Sequence, residues 1–451
     1  MVFDIIFIGA GFSNLSAANQ LHDLGISNFL ILEKGHKFTD RKCRGENNNS
    51  CKRCVICSTA EGIGGANALH GNKLCYFPAS KHISDMFCQQ EINDSLTYLS
   101  KLLGHYFDPS FNILNDTTRY QSKCNKKYYF SAEYFKYDFA RIVKLLTSRI
   151  ENKLVEKQNV CSITKNNDIY FVKTTLGLIF KARHIVLGTG RASYSSLPDM
   201  LEPFGAKFTQ QIQDIGIRIE ANSDCFTDTY YYQADPKIKL DFGKSGSSRT
   251  FCAHNRGKVV PVRFGKSFFA DGAFCSEPTS KNNIAIMART SKPLSNDVME
   301  NWMLTINELA GDMLLLGNAV LDDDFINNFS QLMPVFPTRE HCEIMTQTLR
   351  SLLYGEDAII VKGTTISIYS PSIDLQWLKP HLKSDFSLYN DNNIYVIGDA
   401  AGKSRGIIQA LFAGVCWANK YVSKIRRLKR SYYIILNWPS SVVRPLDVKD
   451  D

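Results

Sequence analysis

The first thirty-odd residues admit few architectures. Phe3 to Ile8 is an apolar run interrupted only by Asp4, Gly9-Ala10-Gly11 follows it, and Leu15, Ala18 and Leu21 then fall on one helical face. Strand, tight turn and helix in that order form the opening of a βαβ unit, whose strand is buried in a parallel sheet. In such a turn the first glycine permits the bend. The second lets backbone approach a pyrophosphate lying on the helix N-terminus, next to Phe12 and Ser13. "NFLILEKG" reads as a second buried strand ending at Glu33, where a carboxylate takes ribose hydroxyls, with Lys34 beside it. Asn14 stands where a third small residue belongs. Its side chain is expected to push helix and strand slightly apart, or to cap the helix.

A second constellation lies almost four hundred positions later. "NIYVIG" reads as a strand that ends at Gly398 and Asp399. A turn and a long helix follow in "DAAGKSRGIIQALFAGVCWANKYV", with Arg405, Gly406 and Ile407 near the helix start. In flavoproteins with two dinucleotide-type halves, a late Gly-Asp strand end brings its aspartate to the ribityl chain or the pyrophosphate. The helix after it aims N–H groups at the flavin pyrimidine edge. A simple NAD dehydrogenase needs no such return to the sheet, so the pair of constellations favours FAD. "HIVLGTGRAS" supplies a further glycine, Gly190, on the cofactor side, but no amphipathic helix follows it. A built-in nicotinamide domain is therefore not expected, and NAD(P)H remains as a transient reductant.

With these residues in view, the chain resembles a large group of bacterial FAD-dependent dehydrogenases with a glutathione-reductase-like FAD fold. The resemblance runs through "GIGGANALHGNKL", "IGIRIE", "SRTFC" with "GKVVP" after it, "NNIAIMA" and "GDAAGKSRGIIQALFAGV", in the family's order. Members similarly carry a cysteine-rich loop before the double glycine. The chain departs from the pattern at His70 to Lys73, where the family is closer to SDGK. The resemblance implies that Gly64 and Gly65 meet the flavin as bare backbone and that Arg41 meets the cofactor phosphates.

The fold expected is α/β: a three-layer, Rossmann-like FAD/NAD(P)-binding domain assembled from residues 1–90, 130–205 and 381–425. A mixed α+β substrate or cap domain is inserted at 206–380, and a basic tail occupies 426–451. A long helix is expected near Glu133 to Glu151. The activity expected is hydride or two-electron transfer between FAD and a small organic substrate. Cys252, His70 and Arg405 are the catalytic candidates, each with a structural alternative: small buried hydrophobe, satisfied histidine and surface arginine respectively. The rivals are a flavoprotein that modifies RNA and a non-catalytic flavin-holding scaffold or sensor.

Cys51, Cys54 and Cys57, with Cys43 upstream, leave three readings open. They suit zinc or an iron–sulfur cluster, a thiol–disulfide pair beside the flavin, or thiols ordered only by packing. The N-terminus shows no basic region and no cleavage site, and no run of eighteen apolar residues exists. A reducing cytoplasm is thus expected, where thirteen cysteines do not make a disulfide framework. Much of the net charge of +9 comes from Lys420, Lys424, Arg426, Arg427, Lys429 and Arg430. That cluster reads first as a solvated helix end and second as a surface for an acidic partner or an anionic membrane. Nucleic acid is disfavoured, because no RNA-stacking signature accompanies it. Nothing in the sequence indicates an oligomeric state.

Overall fold

The computed structural model describes residues 1–43, 51, 53–66, 68–112, 119–121, 124–275, 277–329, 331, 335–354, 358–374 and 378–436. It is an α/β fold built on two large sheets. The first sheet has β1 (Phe3–Ile8) at its centre, between β2 (Phe29–Leu32) and the strand Ile179–Leu187, both parallel to it. The late strand Ile394–Val396 adds in parallel beyond Ile179–Leu187, so the chain does return to the same sheet. The continuous apolar stretch of β1, Ile5 to Ile8, follows from burial on both faces. Ile5 and Phe7 join a core with Leu15, Ala18 and Trp417, and Ile6 and Ile8 join another with Leu197 and Leu201. The helix α1 (Phe12–Asp23) packs on the final helix, Ile407–Leu436. α2 (Gln89–Leu103) and α3 (Lys136–Thr147) complete that layer.

The helix expected near Glu133–Glu151 starts later. Ser131–Phe135 is a strand, paired antiparallel with Gly71–Cys75 (Lys73 opposite Glu133), and α3 begins only at Lys136. Tertiary pairing overrides the local helical pattern there.

The second sheet has eight antiparallel strands. Its second to fifth strands are Thr365–Asp374, Asp214–Asn222, Lys281–Arg289 and Ser247–His254 in spatial order. Lys237–Asp241, Cys124–Lys127 and Arg119–Gln121 extend one side. Residues 119–127 thus belong with the inserted sheet, although they precede the 206–380 segment by some eighty positions. One face is covered by the helix Arg339–Tyr354 over Ile217, Ile219 and Ile286. Toward the other lie the hairpin of Lys258–Phe264 and Ser267–Ala273 and the helix Asn296–Ala310. The two sheets face each other across a cleft.

The final helix corrects the tail boundary at 426, for it continues unbroken to Leu436; residues 437–451 lie outside the described ones. Lys420 reaches Glu91 (3.9 Å) and the Ser384 carbonyl (3.2 Å), and Lys424 reaches Asp385 (3.7 Å) and the Asn392 carbonyl (3.1 Å). At least these two cations fasten the helix to its own fold. The side chains of Lys429 and Arg430 are outside the described ones. Among the described residues no helix is long and apolar enough to cross a membrane.

Candidate functional site

The cleft encloses about 1140 Å³ and is lined from both sheets. Its first end is made largely of main chain. Gly9 turns at φ +92°, and a Cβ there would stand 2.7 Å from the Gly188 carbonyl oxygen. No other residue fits, because the conformation and the contact both exclude a side chain. The N–H of Ala10 donates to Glu33 Oε2 (2.7 Å) and that of Gly35 to Glu33 Oε1 (2.8 Å). The buried carboxylate is thus fixed at the lip of the cleft with lone pairs to spare. α1 starts on Gly11 with no side-chain cap and no acid in its first turn, and Phe12 and Ser13 line the cleft. An uncapped helix N-terminus is a ready position for an anion.

Asn14 neither caps α1 nor occupies the cleft. Its Nδ2 donates to the carbonyls of Ile8 (3.0 Å) and Gly9 (2.8 Å), and a Cβ on Gly188 would meet its Oδ1 at 2.4 Å. The room normally left by a third small residue in the turn is left here by Gly188, directly after the neighbouring strand Ile179–Leu187.

Gly64 and Gly65 dock on the same turn. The Gly64 N–H donates to Ala10 (3.0 Å), and a Cβ on Gly65 would lie 3.4 Å from Gly11 Cα. Gly65 lines the cleft, whereas Gly64 sits beneath Val143 of α3. Lys34 lines the cleft too, paired with Glu61 at 2.6 Å.

Arg41 is engaged by main-chain carbonyls. Buried to 3% exposure, its guanidinium donates to the carbonyls of Ser58 (2.7 Å), Ile63 (3.0 Å) and Gly65 (2.8 Å), among others. Burial lowers its pKa to about 10, against the pull of Glu33. It ties the segment from Ser58 to Gly65 together from inside and is not among the residues lining the cleft. His70 ends the short turn Ala68–His70, is buried, and is not among the residues lining the cleft.

The late constellation closes on the same cavity. Gly190 (φ +67°), Asp399, Gly406 and Ile407 all line it. Gly398 is seated against α1, since a Cβ there would meet Ser13 Oγ at 2.4 Å. The final helix opens with no acid in its first turn. Asp399 lies 3.6 Å from Arg191 and 3.9 Å from Arg405. Arg405 also pairs with Asp374, which in turn pairs with Arg249. Burial alone would raise the Asp374 pKa. Arg405, then Arg249 and Arg191, outweigh it and hold the carboxyl at about 2.

At the far end stands a group that the sequence did not disclose. Lys73, from the departing "HGNK" segment, is buried and ion-paired with Asp235 (3.1 Å), and it also donates to the Ala253 carbonyl. The other Asp235 oxygen accepts from Tyr129 (2.7 Å) and faces Lys237 (3.2 Å). Burial would raise the Asp235 pKa, but Lys237 and Lys73 drive it far below the usual carboxylate range. Cys252 lines the cleft beside them at φ +49°, and burial raises its thiol pKa in spite of Lys73. A protonated thiol is a poor nucleophile.

The cysteine loop lies against the hairpin of Lys258–Phe264 and Ser267–Ala273. Arg263 donates to the carbonyls of Cys54 (2.7 Å) and Val55 (2.6 Å), and Arg53 reaches Asp312 (3.4 Å). Burial first, and then the nearby Cys57, Cys43 and Cys54, raise the pKa of Cys51. Cys43, Cys51, Cys54 and Cys57 are all free thiols. Among the described residues no three His, Cys, Asp or Glu stand where they could hold a metal ion.

No family model matches the chain, and no curated protein does. Several solved flavoprotein structures are similar to it. One is a putative FAD-containing monooxygenase from Photorhabdus luminescens subsp. laumondii, with 11% identity, TM-score 0.45, and coverage of 94% of this chain and 89% of that one. Another is 2,6-dihydroxypyridine-3-hydroxylase from Arthrobacter nicotinovorans (12%, TM-score 0.37, 92% and 81%). A third is CtdE, in complex with FAD and a substrate (13%, TM-score 0.35, 98% and 94%). Likenesses this distant leave the site to be read from its own residues.

Proposed function

We propose that this chain is an FAD-dependent oxidoreductase of the dehydrogenase type, passing two electrons between bound flavin and a small organic substrate. One observation carries the reading: a single cleft receives both the Gly9–Gly11 turn with Glu33 and, from the other end of the chain, Asp399 with the start of the final helix. Bare backbone at Gly11, Gly65, Gly190 and Gly406 lines that cavity. A Cβ on Gly190 would meet no atom within 4 Å, so the room there suits a ligand. The residues present therefore fit FAD.

Glu33 would accept from the ribose hydroxyls, and the N–H groups opening α1 would hold the pyrophosphate. Asp399 would orient the ribityl chain, with Arg191 and Arg405 keeping its carboxylate in place. The final helix would turn its positive end toward the pyrimidine edge of the ring. When bound, FAD supplies a ring that takes up or gives back a hydride equivalent. The buried Lys73–Asp235 pair holds its charges through mutual contact and keeps that wall of the cleft rigid. Free thiols throughout the described cysteines suit a reducing cytoplasm, and NAD(P)H serves as a transient reductant from solution.

The test is to purify the full chain, record its visible spectrum, and add NADH or NADPH anaerobically. Yellow protein that bleaches and recolours with an added oxidant supports the reading. Bound FAD that no reductant bleaches would turn it into a flavin-holding scaffold. No observation in the site favours a role on RNA.

A further inference from the structure

On the cleft-facing side of the second sheet, five cations stand on four neighbouring strands. Lys237 is directly opposite Lys127, and Lys239 is directly opposite Arg249. Arg289 faces Ser247 one step further along, and all five line the cleft. Like charges set opposite each other on a sheet cost stability. Acids offset only part of it. Arg249 and Arg289 share Asp214, and Arg249 also takes Asp374. Lys237 shares Asp235 with the buried Lys73. Lys239 has no acidic partner among the described residues. Asp241, two positions along on the same face, turns to the Gly243 N–H and does not line the cleft. The ring of Phe251 lies beneath Lys237 (4.4 Å) and Arg249 (5.1 Å) and adds an apolar floor.

This face is wired to the cofactor grip. Arg289, Asp214, Arg249, Asp374, Arg405 and Asp399 form one chain of alternating charge from the sheet to the start of the final helix. A site for an anion at the sheet therefore lies in the same cavity as the Asp399 end and is held in register with it. We propose that the cleft face of Lys127, Lys237, Lys239, Arg249 and Arg289 binds the oxyanion of the substrate, a carboxylate or a phosphate. The substrate is thus a small organic anion, with its apolar part over Phe251. This rests on the FAD reading for the word substrate, but not for the anion site itself.

The probes are benzoate, inorganic phosphate and the neutral isostere benzamide, titrated into the FAD-loaded full chain. Flavin absorption and melting temperature are the readouts. Benzoate or phosphate should raise the melting temperature and perturb the flavin band, less so at high salt, while benzamide does neither. Which anion binds tighter tells carboxylate from phosphate. Lys239→Gln, and separately Lys127→Gln, should weaken anion binding about tenfold or more. The ligand-free Lys239→Gln protein should melt no lower than the parent, because it loses a repulsion. The proposal is overturned if neither anion binds, if benzamide equals benzoate, or if both variants bind as tightly as the parent. Should the chain take up no FAD, the same titration on it still decides. A parent-over-variant difference then upholds the anion site while the flavin reading fails. FAD uptake without any anion effect sinks the anion site alone.

Discussion

The two ends of the cleft are built from different material. At the Gly9–Gly11 end the lining is largely backbone, and the carboxylate there, Glu33, is held by two main-chain N–H groups. At the sheet end the lining is long charged side chains, set in alternate positions on strands far apart in sequence. Backbone recognition suits a ligand that never changes, since a few glycines and helix ends fix it. Side-chain recognition suits a ligand that differs from one enzyme to the next, since it is altered without touching the fold.

The largest effect that would break this contrast is at Gly9. Gly9→Val should abolish FAD uptake, because the φ of +92° and the 2.7 Å approach to Gly188 leave no room for a side chain. Retained flavin in the purified variant would contradict a backbone-built site. At the other end, Asp235→Asn should cost about 3–5 kcal/mol in urea unfolding, since it strands the charge on buried Lys73. A cost below about 1 kcal/mol would mean that the pair is not dry.

A smaller effect sharpens the account of the turn. Gly188→Ala should destabilise by about 1–3 kcal/mol through collision with Asn14. Adding Asn14→Ala should recover part of that loss, a positive coupling measurable in a double-mutant cycle. Purely additive losses would show that the two residues do not share the space.

The smallest expected effect does not distinguish the two halves. His184 on the first sheet and His341 beside the second are both held neutral by burial, each with its pKa lowered to about 4. The unfolded chain binds protons below about pH 6.5. Stability is therefore full above that pH and falls toward pH 4, by on the order of 1–2 kcal/mol per histidine. His341→Gln should flatten that slope in urea titrations at pH 7 and pH 5. An unchanged slope would place the proton uptake elsewhere.

The same contrast explains what the sequence disclosed. Strand, glycine turn, helix and Glu33 are local, so their pattern is legible directly, and the strand and turn that bring Asp399 to the cleft are local too. Asn14 was read as a disturbance because Gly188, which absorbs its volume, arrives from a distant strand. The contacts of Arg41 are not legible in the sequence because its partners are backbone carbonyls, which leave no mark on residue identity. Lys73 was visible only as a departure from a family pattern; its partner Asp235 lies 162 positions away. The cationic face could not be read at all, because it exists only once four strands are in register.

The most direct measurement is calorimetric titration of FAD into the flavin-free full chain, alongside Glu33→Ala. The account predicts one FAD per chain, binding that turns the protein yellow, and an affinity at least tenfold weaker in the variant. A parent chain that evolves no heat and is colourless once unbound FAD is removed would contradict it.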